Sequence, residues 1–452
     1  MNRAISGGTW IILSSIVISI GGFILWLVTG MFGGAKAVGY ATTAFSIATL
    51  LATLGNPGLN YAVLREVPLK GSRAYIAALT IALTTGIVLS LGSLLFINIY
   101  EEFNLYVIAS MLLTIIILVN AVNTATIVAL LKTKYLFIAN TASTIVKVCL
   151  GVTLVLIGLA GLGATIALLA STITVLVATT IVILTSMNII RPLKRDLREV
   201  LTIGFSNYPQ QLSIQLIVSA GIVLLALLTN NPTETGTFYI ALMITLVLAT
   251  IPRSIITVSL PLTMKTGEKQ LASQGLRIGC SLILPIAIAL TLLSKQVLAL
   301  INQEFAQGEL TLIVLLYSII PNQTILASIT KLNAEKKLKE ITIIGAVRLT
   351  TLTILTILLT PRLGALGAAL AYLASTITPQ PLILREVNYK DTLKLISIQA
   401  ALTIPILLVK ANTIPIAITV ALTSTILLHL TKTLSLNEAK TTIKTIIRTL
   451  KP

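Results

Sequence analysis

The sequence predicts an all-α integral membrane protein of about fourteen transmembrane helices, arranged as two pseudo-symmetric six-helix lobes followed by two further helices. Three observations predict it. Of 452 residues, 56% are hydrophobic and only 10% charged, with mean hydropathy +1.00; no soluble globule has this balance, because a folded surface needs more polar cover. Apolar runs of roughly twenty residues recur from end to end, each long enough to cross ~30 Å of hydrocarbon as a helix, and the period-two alternation of a membrane barrel is absent. Finally, the hexapeptide LASTIT occurs twice, at residues 169–174 and 373–378. Upstream of the two copies, Leu159, Leu162, Gly163, Ala164 and Ala167 match Leu363, Leu366, Gly367, Ala368 and Ala371 without a gap. That match marks a duplicated segment.

In chain order the spans fall at 8–30, 38–61, 75–97, 105–130, 136–158 and 164–186, then 201–229, 237–262, 278–300, 310–330, 341–360 and 364–384, and last 395–411 and 414–431. The first has an Arg before it, as a signal peptide does, but residues 10–29 are of full spanning length and no small-residue cleavage site follows. It is therefore a span. Charge then orients the set. Alternate loops are basic: Arg65/Lys70/Arg73, Lys132/Lys134, Arg191/Lys194/Arg195/Arg198, Lys265/Lys269/Arg277, Lys331/Lys336/Lys337/Lys339, Arg385/Lys390/Lys394 and the C-terminal tail. The intervening loops carry Glu101, Glu102, Glu234, Glu304 and Glu309, opposed only by Lys36, Lys295, Arg362 and Lys410. The positive-inside rule makes the basic loops and both termini cytoplasmic, in a cell membrane crossed many times. The net charge of +18 is thus topogenic, suited to anionic lipid heads and not to nucleic acid.

An offset of six spans separates the two LASTIT copies, so both run the same way through the membrane, as in parallel transporter repeats. The run AVGYATTAFSI entering span two resembles ETGTFYIALMI entering span eight, and Lys147 and Arg348 precede the two repeats. This gives an N-terminal lobe 1–186, a basic cytoplasmic linker 187–199, a C-terminal lobe 200–385, and an appendage 386–452 holding the last two helices and the tail. Gly163, Ala167 and Ser171, like Gly367, Ala371 and Ser375, recur every four residues and form a smooth stripe for close helix packing. The repeat therefore reports architecture, and the chemistry lies elsewhere.

An ionisable group in hydrocarbon costs ~2.5–3.5 kcal/mol or more, so each one inside a span is a functional candidate. Lys147, Arg253 and Arg348 are such candidates; Arg253 follows Pro252, a place for the helix to bend. Lys295 stands near a span end and can snorkel. No acid lies clearly within a span, and the two Asp, Asp196 and Asp391, are in cytoplasmic loops. A cation or proton pathway usually needs intramembrane carboxylates, whereas a positive interior suits phosphate. Amides add hydrogen-bonding capacity for a sugar. Asn207, Gln211 and Gln215 share one face of span seven beside Pro209, Asn56 and Asn60 flank Pro57 in span two, Asn120 and Asn123 mark span four, and Asn322 and Gln323 mark span ten. Cys149 and Cys280 lie in apolar runs and are expected to be buried thiols, and His429 is interfacial. The pattern predicts no catalytic residue, no metal site and no cofactor.

These residues resemble a known family. The opening SGGTWIILSSIVISIGGFILWLVTGMFGGAKAVGYATTAFSIATLLATLGNPGLNYAVLREV, together with GLGATIALLASTIT, GFSNYPQQ, TIPRSIITVSLP and LGALGAALAYLAS, is similar to the polysaccharide-biosynthesis flippases of the multidrug/oligosaccharidyl-lipid/polysaccharide (MOP) exporter superfamily. The resemblance covers the whole chain through loose patterns of Gly, Pro and small residues. It implies a central cavity lined by spans one, two, seven and eight, and alternating access that moves a polyprenyl-diphosphate-linked oligosaccharide to the outer leaflet. It implies that Arg253, and less directly Lys147 and Arg348, hold the diphosphate, with membrane lipids and glycan-assembly proteins as partners. The drug-antiporter branch carries an acid in its N-terminal lobe, and this chain has none. A membrane glycosyltransferase needs acids on sizeable outer loops, which are short here and contain no Asp. A scaffold for glycan assembly would leave the buried cations without a purpose. The alternatives are thus a drug or other lipid exporter of the same fold, and such a scaffold.

Overall fold

The computed structural model of the protein describes residues 2–188, 190–266, 271–335, 337–384, 386–409, 413–431 and 433, with the side chains of 2–9, 12, 206, 207, 209–211, 213–215, 258–266 and 334 outside the description. All regular structure among these residues is helical. In hydrocarbon a backbone amide has no water to bond, and a helix satisfies its own polar groups within one segment. Threonines fit this scheme by folding back. Thr29, Thr42 and Thr114 each donate to the carbonyl four residues earlier, at 2.7–2.8 Å, so their hydroxyls stay satisfied within the helix.

Nine helices among the described residues are long and apolar enough to span, and two shorter apolar helices cover Leu216–Thr229 and Ile414–Leu430. Three of the nine are double length: Leu13–Leu54, Thr133–Leu184 and Leu338–Ile383. At 1.5 Å per residue each would run ~60 Å or more if straight, about twice the hydrocarbon thickness. Each is broken by a glycine in a backbone conformation closed to ordinary side chains: Gly34 (φ 72°), Gly158 (φ 96°) and Gly364 (φ 54°). Counting each broken pair as two crossings gives the fourteen spans expected from the sequence.

The elements are α1 (Asn2–Leu54), α2 (Leu59–Lys70), α3 (Ser72–Ser90), α4 (Asn104–Ala129), α5 (Thr133–Leu154), α6 (Ala160–Leu184), α7 (Lys194–Thr229), α8 (Pro232–Thr266), α9 (Leu271–Leu292), α10 (Ser294–Ile301), α11 (Glu309–Tyr317), α12 (Ile319–Ala334), α13 (Leu338–Ile377), α14 (Gln380–Ile383), α15 (Tyr389–Val409) and α16 (Ile414–Leu430). Span two ends earlier than expected, at Leu54, because the Asn56-Pro57-Gly58 break starts a separate helix α2. Span ten is split at Ser318 into α11 and α12.

The chain forms two compact units, Met1–Tyr239 and Ile240–Pro452, the division falling within α8. In the first, α5 and α6 pack on α1 and α4, while α7 packs on α1, α2 and α3. One apolar core joins Leu59, Val63 and Val67 of α2 to Tyr75 and Ala78 of α3, Val122 of α4 and Val200 of α7. A second gathers Tyr40, Tyr100, Phe103 and Tyr106, with the Phe103 and Tyr106 rings stacked 5.3 Å apart. In the second unit α9 is central, and the two terminal helices α15 and α16 both pack on it together with α12.

The two LASTIT copies occupy matching local structures. Each lies on the second arm of a broken pair, and Gly163 and Gly367 each press against first-arm backbone. A Cβ on Gly163 would lie 2.9 Å from the Leu154 carbonyl carbon, and one on Gly367 would lie 2.7 Å from that of Leu359. The small-residue stripe is therefore a packing device, as its spacing predicts. One expectation fails. Cys280 is buried, but Cys149 is exposed, because it shares the outward face of α5 with Leu150.

Candidate substrate pathway

Arg253 sits on the second half of α8, and the helix there has two distinct sides. Pro252 is buried against α9, where a Cβ on Gly279 would come within 2.6 Å of the Pro252 Cα. The other side presents Arg253, Ser254 and Thr257, all exposed. The hydroxyls of Ser254 and Thr257 turn back to the carbonyls of Thr250 and Arg253 at 2.8 Å. The carbonyls beside Pro252 thus do not take up the arginine, whose guanidinium makes no hydrogen bond or ion pair among the described residues. A polar, arginine-bearing helix face is costly against lipid and cheap against water.

Arg348, on the first arm of α13, donates from a terminal guanidinium nitrogen to the Asn322 side-chain oxygen of α12 at 2.9 Å, while its buried Nε has no partner. The charges of both Arg348 and Arg253 bear on the buried phenol of Tyr372 on the second arm of α13. The second unit thus joins Arg348 to Asn322 and leaves the two arginines within electrostatic reach of Tyr372. Sequence reasoning missed Tyr372, which reads as one more apolar position of LGALGAALAYLAS. Gln323 is buried, with its side-chain oxygen unpaired. Gln380 of α14 donates to the carbonyls of Pro321 and Thr376 at 3.0 and 2.7 Å, which ties α12 to the end of the broken pair.

In the first unit the candidates separate. Lys147 is 9% exposed and makes no hydrogen bond or ion pair among the described residues; neighbouring Thr144 and Val148 touch α1 at Gly21. Asn56 caps α2: its side-chain oxygen accepts from the Leu59 amide at 2.9 Å, and its amide nitrogen reaches Asn60 at 3.4 Å. Asn123 is spent on structure, accepting from the Tyr75 hydroxyl and donating to Thr179 and Thr180. Asn120 donates to the Thr172 carbonyl. Asn207, Gln211 and Gln215 lie on α7, and their side chains fall outside the description.

Two seams close the first unit where α7 and the start of α8 meet α1 and α2. At one seam, on the side that the basic loops predict to be inner, a Cβ on Gly58 would stand 2.3 Å from the Gly204 carbonyl oxygen, and one on Gly204 2.1 Å from that of Pro57. At the other, predicted outer, seam a Cβ on Gly39 would stand 1.8 Å from the Pro232 carbonyl oxygen and one on Gly236 2.0 Å from that of Ala35. The buried Tyr100 hydroxyl joins Thr43 (3.1 Å) to Thr235 (2.9 Å) across this outer seam.

No family model and no curated protein matches the sequence. Solved structures do match. The structure of the lipid II flippase MurJ in an inward closed conformation superposes with a TM-score of 0.74 at 15% identity, over 92% of this chain and 98% of that one. The chain has the fold of the MOP superfamily. An inward-facing multidrug-resistance MATE transporter of that superfamily gives 0.62 at 16% identity, over 87% of this chain and 99% of that one. A MOP transporter from Pyrococcus furiosus Vc1, described as having a binding pocket of reverse polarity, gives 0.55 at 15% identity, over 86% and 96%.

Proposed function

We propose that the protein is a flippase that carries a polyprenyl-(di)phosphate-linked oligosaccharide from the cytoplasmic to the outer leaflet of the cell membrane, for surface polysaccharide or glycan assembly. The observation that carries this reading is the sign of the interior charge: Arg253 on a polar exposed helix face, Arg348 bonded to Asn322, and, among the described residues, no carboxylate in the middle of a long apolar helix. A phosphate or diphosphate is the group such arginines recognise, and the guanidinium fork binds its oxygens in pairs. The similarity to a lipid II flippase supports a lipid-linked cargo.

In this reading lobes 1–186 and 200–385 rock about the site, the two termini are cytoplasmic, and the terminal appendage stays outside the cavity. The diphosphate sits at Arg253, with Arg348 and Lys147 adding positive potential along the path. Asn56, Asn60, Asn207, Gln211, Gln215, Asn322 and Gln323 supply the wall along which sugar hydroxyls stay hydrated, while the polyprenyl tail remains in lipid. Membrane lipids and glycan-assembly proteins are the partners, and no covalent step is needed. The test is a leaflet-resolved flipping assay in proteoliposomes with a polyprenyl-diphosphate oligosaccharide. Movement that depends on Arg253 supports the reading; movement unchanged in Arg253→Ala removes the site. A second reading, a multidrug or other lipid exporter, is favoured by the MATE likeness at a TM-score of 0.62. Export of a cationic drug with no flipping of the anionic lipid would decide for it.

A further inference from the structure

The inner seam carries a device that the anion site does not explain. α1 ends at Leu54, the chain turns through Pro57 and Gly58 (φ 66°), and α2 runs to Lys70, its last residue. α7 starts at Lys194, inside the segment 187–199 expected to be a linker, and its first turns lie against α2. The Gly58–Gly204 approach leaves no room for side chains between them, and the Tyr208 hydroxyl donates to the Leu54 carbonyl at 2.6 Å, taking up an acceptor freed where α1 ends. Around this neutral contact stands one ammonium among three carboxylates. Lys70 meets Glu66 at 3.2 Å on its own helix, Asp196 at 3.8 Å on α7, and Glu199, also on α7, in direct contact. The Glu66 and Asp196 side chains are only 7% and 8% exposed. The remaining bases at the seam, Arg65 on Glu66 and Arg195 on Glu199, are largely exposed at 70% and 85%.

We infer that Lys70 is a latch that holds the cytoplasmic ends of α2 and α7 shut, and that its release is the step that opens the protein to the cytoplasm. The argument is electrostatic. Two nearly buried carboxylates and a third beside them repel one another unless a cation sits between them, and removing one partner of a buried pair costs far more than the pair itself contributes. Lys70 is the only base of the set positioned to bridge acids on both helices, so the closed state depends on one side chain. The outer seam carries a different set of contacts, the Tyr100, Thr43 and Thr235 hydroxyls and glycine packing. Asp196 has a second task, accepting from the Leu193 amide at 2.9 Å to cap α7, so it stays in place whether the latch is closed or open. The inference rests on the alternating-access reading, but its first test does not require the cargo to be known.

That test measures reaction of a membrane-impermeant thiol reagent, applied from the cytoplasmic side, with Val63→Cys in the full chain lacking Cys149 and Cys280. Val63 is fully buried in the core that α2 shares with Val200 of α7. Labelling should be slow when Lys70 is intact and roughly tenfold faster or more in Lys70→Met, which keeps shape and loses charge. Lys70→Arg, which keeps the charge, should stay slow. Glu199→Gln, a milder change should Lys70→Met not fold, should give a smaller acceleration. Equal rates for the intact chain and the charge-less variants overturn the latch. Equally fast labelling of Lys70→Arg and Lys70→Met also overturns it, by showing that packing and not charge holds the seam. A second arm bridges Lys70→Cys to Glu199→Cys with a short reducible crosslinker. Flipping of the lipid-linked glycan should stop and return on reduction; flipping that continues in the bridged protein overturns the inference. Failure of all flipping with the labelling pattern intact would instead count against the proposed cargo.

Discussion

Arg253 and Arg348 carry the same charge in the same unit, but among the described residues only Arg348 has a protein partner, donating to Asn322. A side chain already bonded to its neighbours contributes to stability, and one left facing open space is free to meet a ligand. Arg253→Ala should therefore cut flipping at least roughly tenfold with little change in thermal unfolding, and Arg253→Lys should restore only part of it, since an ammonium lacks the paired donors. Arg348→Ala should lower the unfolding temperature as well as the rate. The assay is flipping in proteoliposomes beside thermal unfolding in detergent, and an Arg253→Ala protein that flips at the parental rate removes it from the site. Asn123 makes the opposite case. It is buried and bonds helices α3, α4 and α6 together. Asn123→Ala should cost about 2–3 kcal/mol of stability, near 1 kcal/mol for each lost bond, while the protein that does fold transports normally. From sequence alone Asn123 and Asn322 look alike, as amides in apolar helices. Only the partners separate them, and partners on distant helices leave no local trace in the sequence.

The helices themselves were legible because hydrocarbon demands long apolar segments, and most predicted spans coincide with elements to within several residues. The glycine breaks were harder to read. LGAT and LGAA look like packing stripes, and the stripe reading holds for Gly163 and Gly367, but nothing local distinguishes them from Gly158 and Gly364, which turn the chain. Gly367 offers a measurable case. Its added Cβ would meet Leu359 and Thr360 main chain at 2.7–2.8 Å, where no side chain can yield. Gly367→Ala should therefore lower the unfolding temperature and the folded yield, whereas Gly22→Ala, with nothing within 4 Å, should be neutral or slightly stabilising, since alanine is the better helix former. A neutral Gly367→Ala would mean that the arms of α13 can part at no cost. The amide stripe of α7 makes a prediction at the same scale. Single cysteines at Asn207, Gln211 and Gln215, in the chain lacking Cys149 and Cys280, should react with a small water-soluble thiol reagent, and those at Leu212 and Leu216 should react slowly. Leu216 is buried. Equal protection of all five would make the stripe a helix-packing surface.

Charge parity along the loops predicts which end of each helix is cytoplasmic, and that rule places Lys70, Asp196 and Glu199 together on the inner side and Gly39, Tyr100 and Gly236 on the outer. What the loops could not show is which of these residues meet, because a seam joins positions more than a hundred residues apart. The linker's basic excess read as purely topogenic, yet its acids turned out to face Lys70. The two seams of the first unit also differ in chemistry, and the difference can be tested across the whole transport cycle. At the outer seam, Gly236 leaves no space for a methyl group against the Ala35 carbonyl, so Gly236→Ala should act as a wedge. If the seam opens and closes in the working protein, the wedge disfavours only the closed arrangement, and the population shifts toward the outward-open one. An Ala44→Cys probe, buried in the aromatic core beside that seam, should then react faster with an impermeant thiol reagent from outside. Val63→Cys should react more slowly from the cytoplasm, because opening one side requires closing the other. Adding Lys70→Met to the wedge should pull the two rates back toward each other, since the substitutions push the same equilibrium in opposite directions. Rates that rise together at both probes would mean that Gly236→Ala merely loosens the packing. Unchanged rates at both would mean that the outer seam is a fixed joint, and that the passage opens along another line.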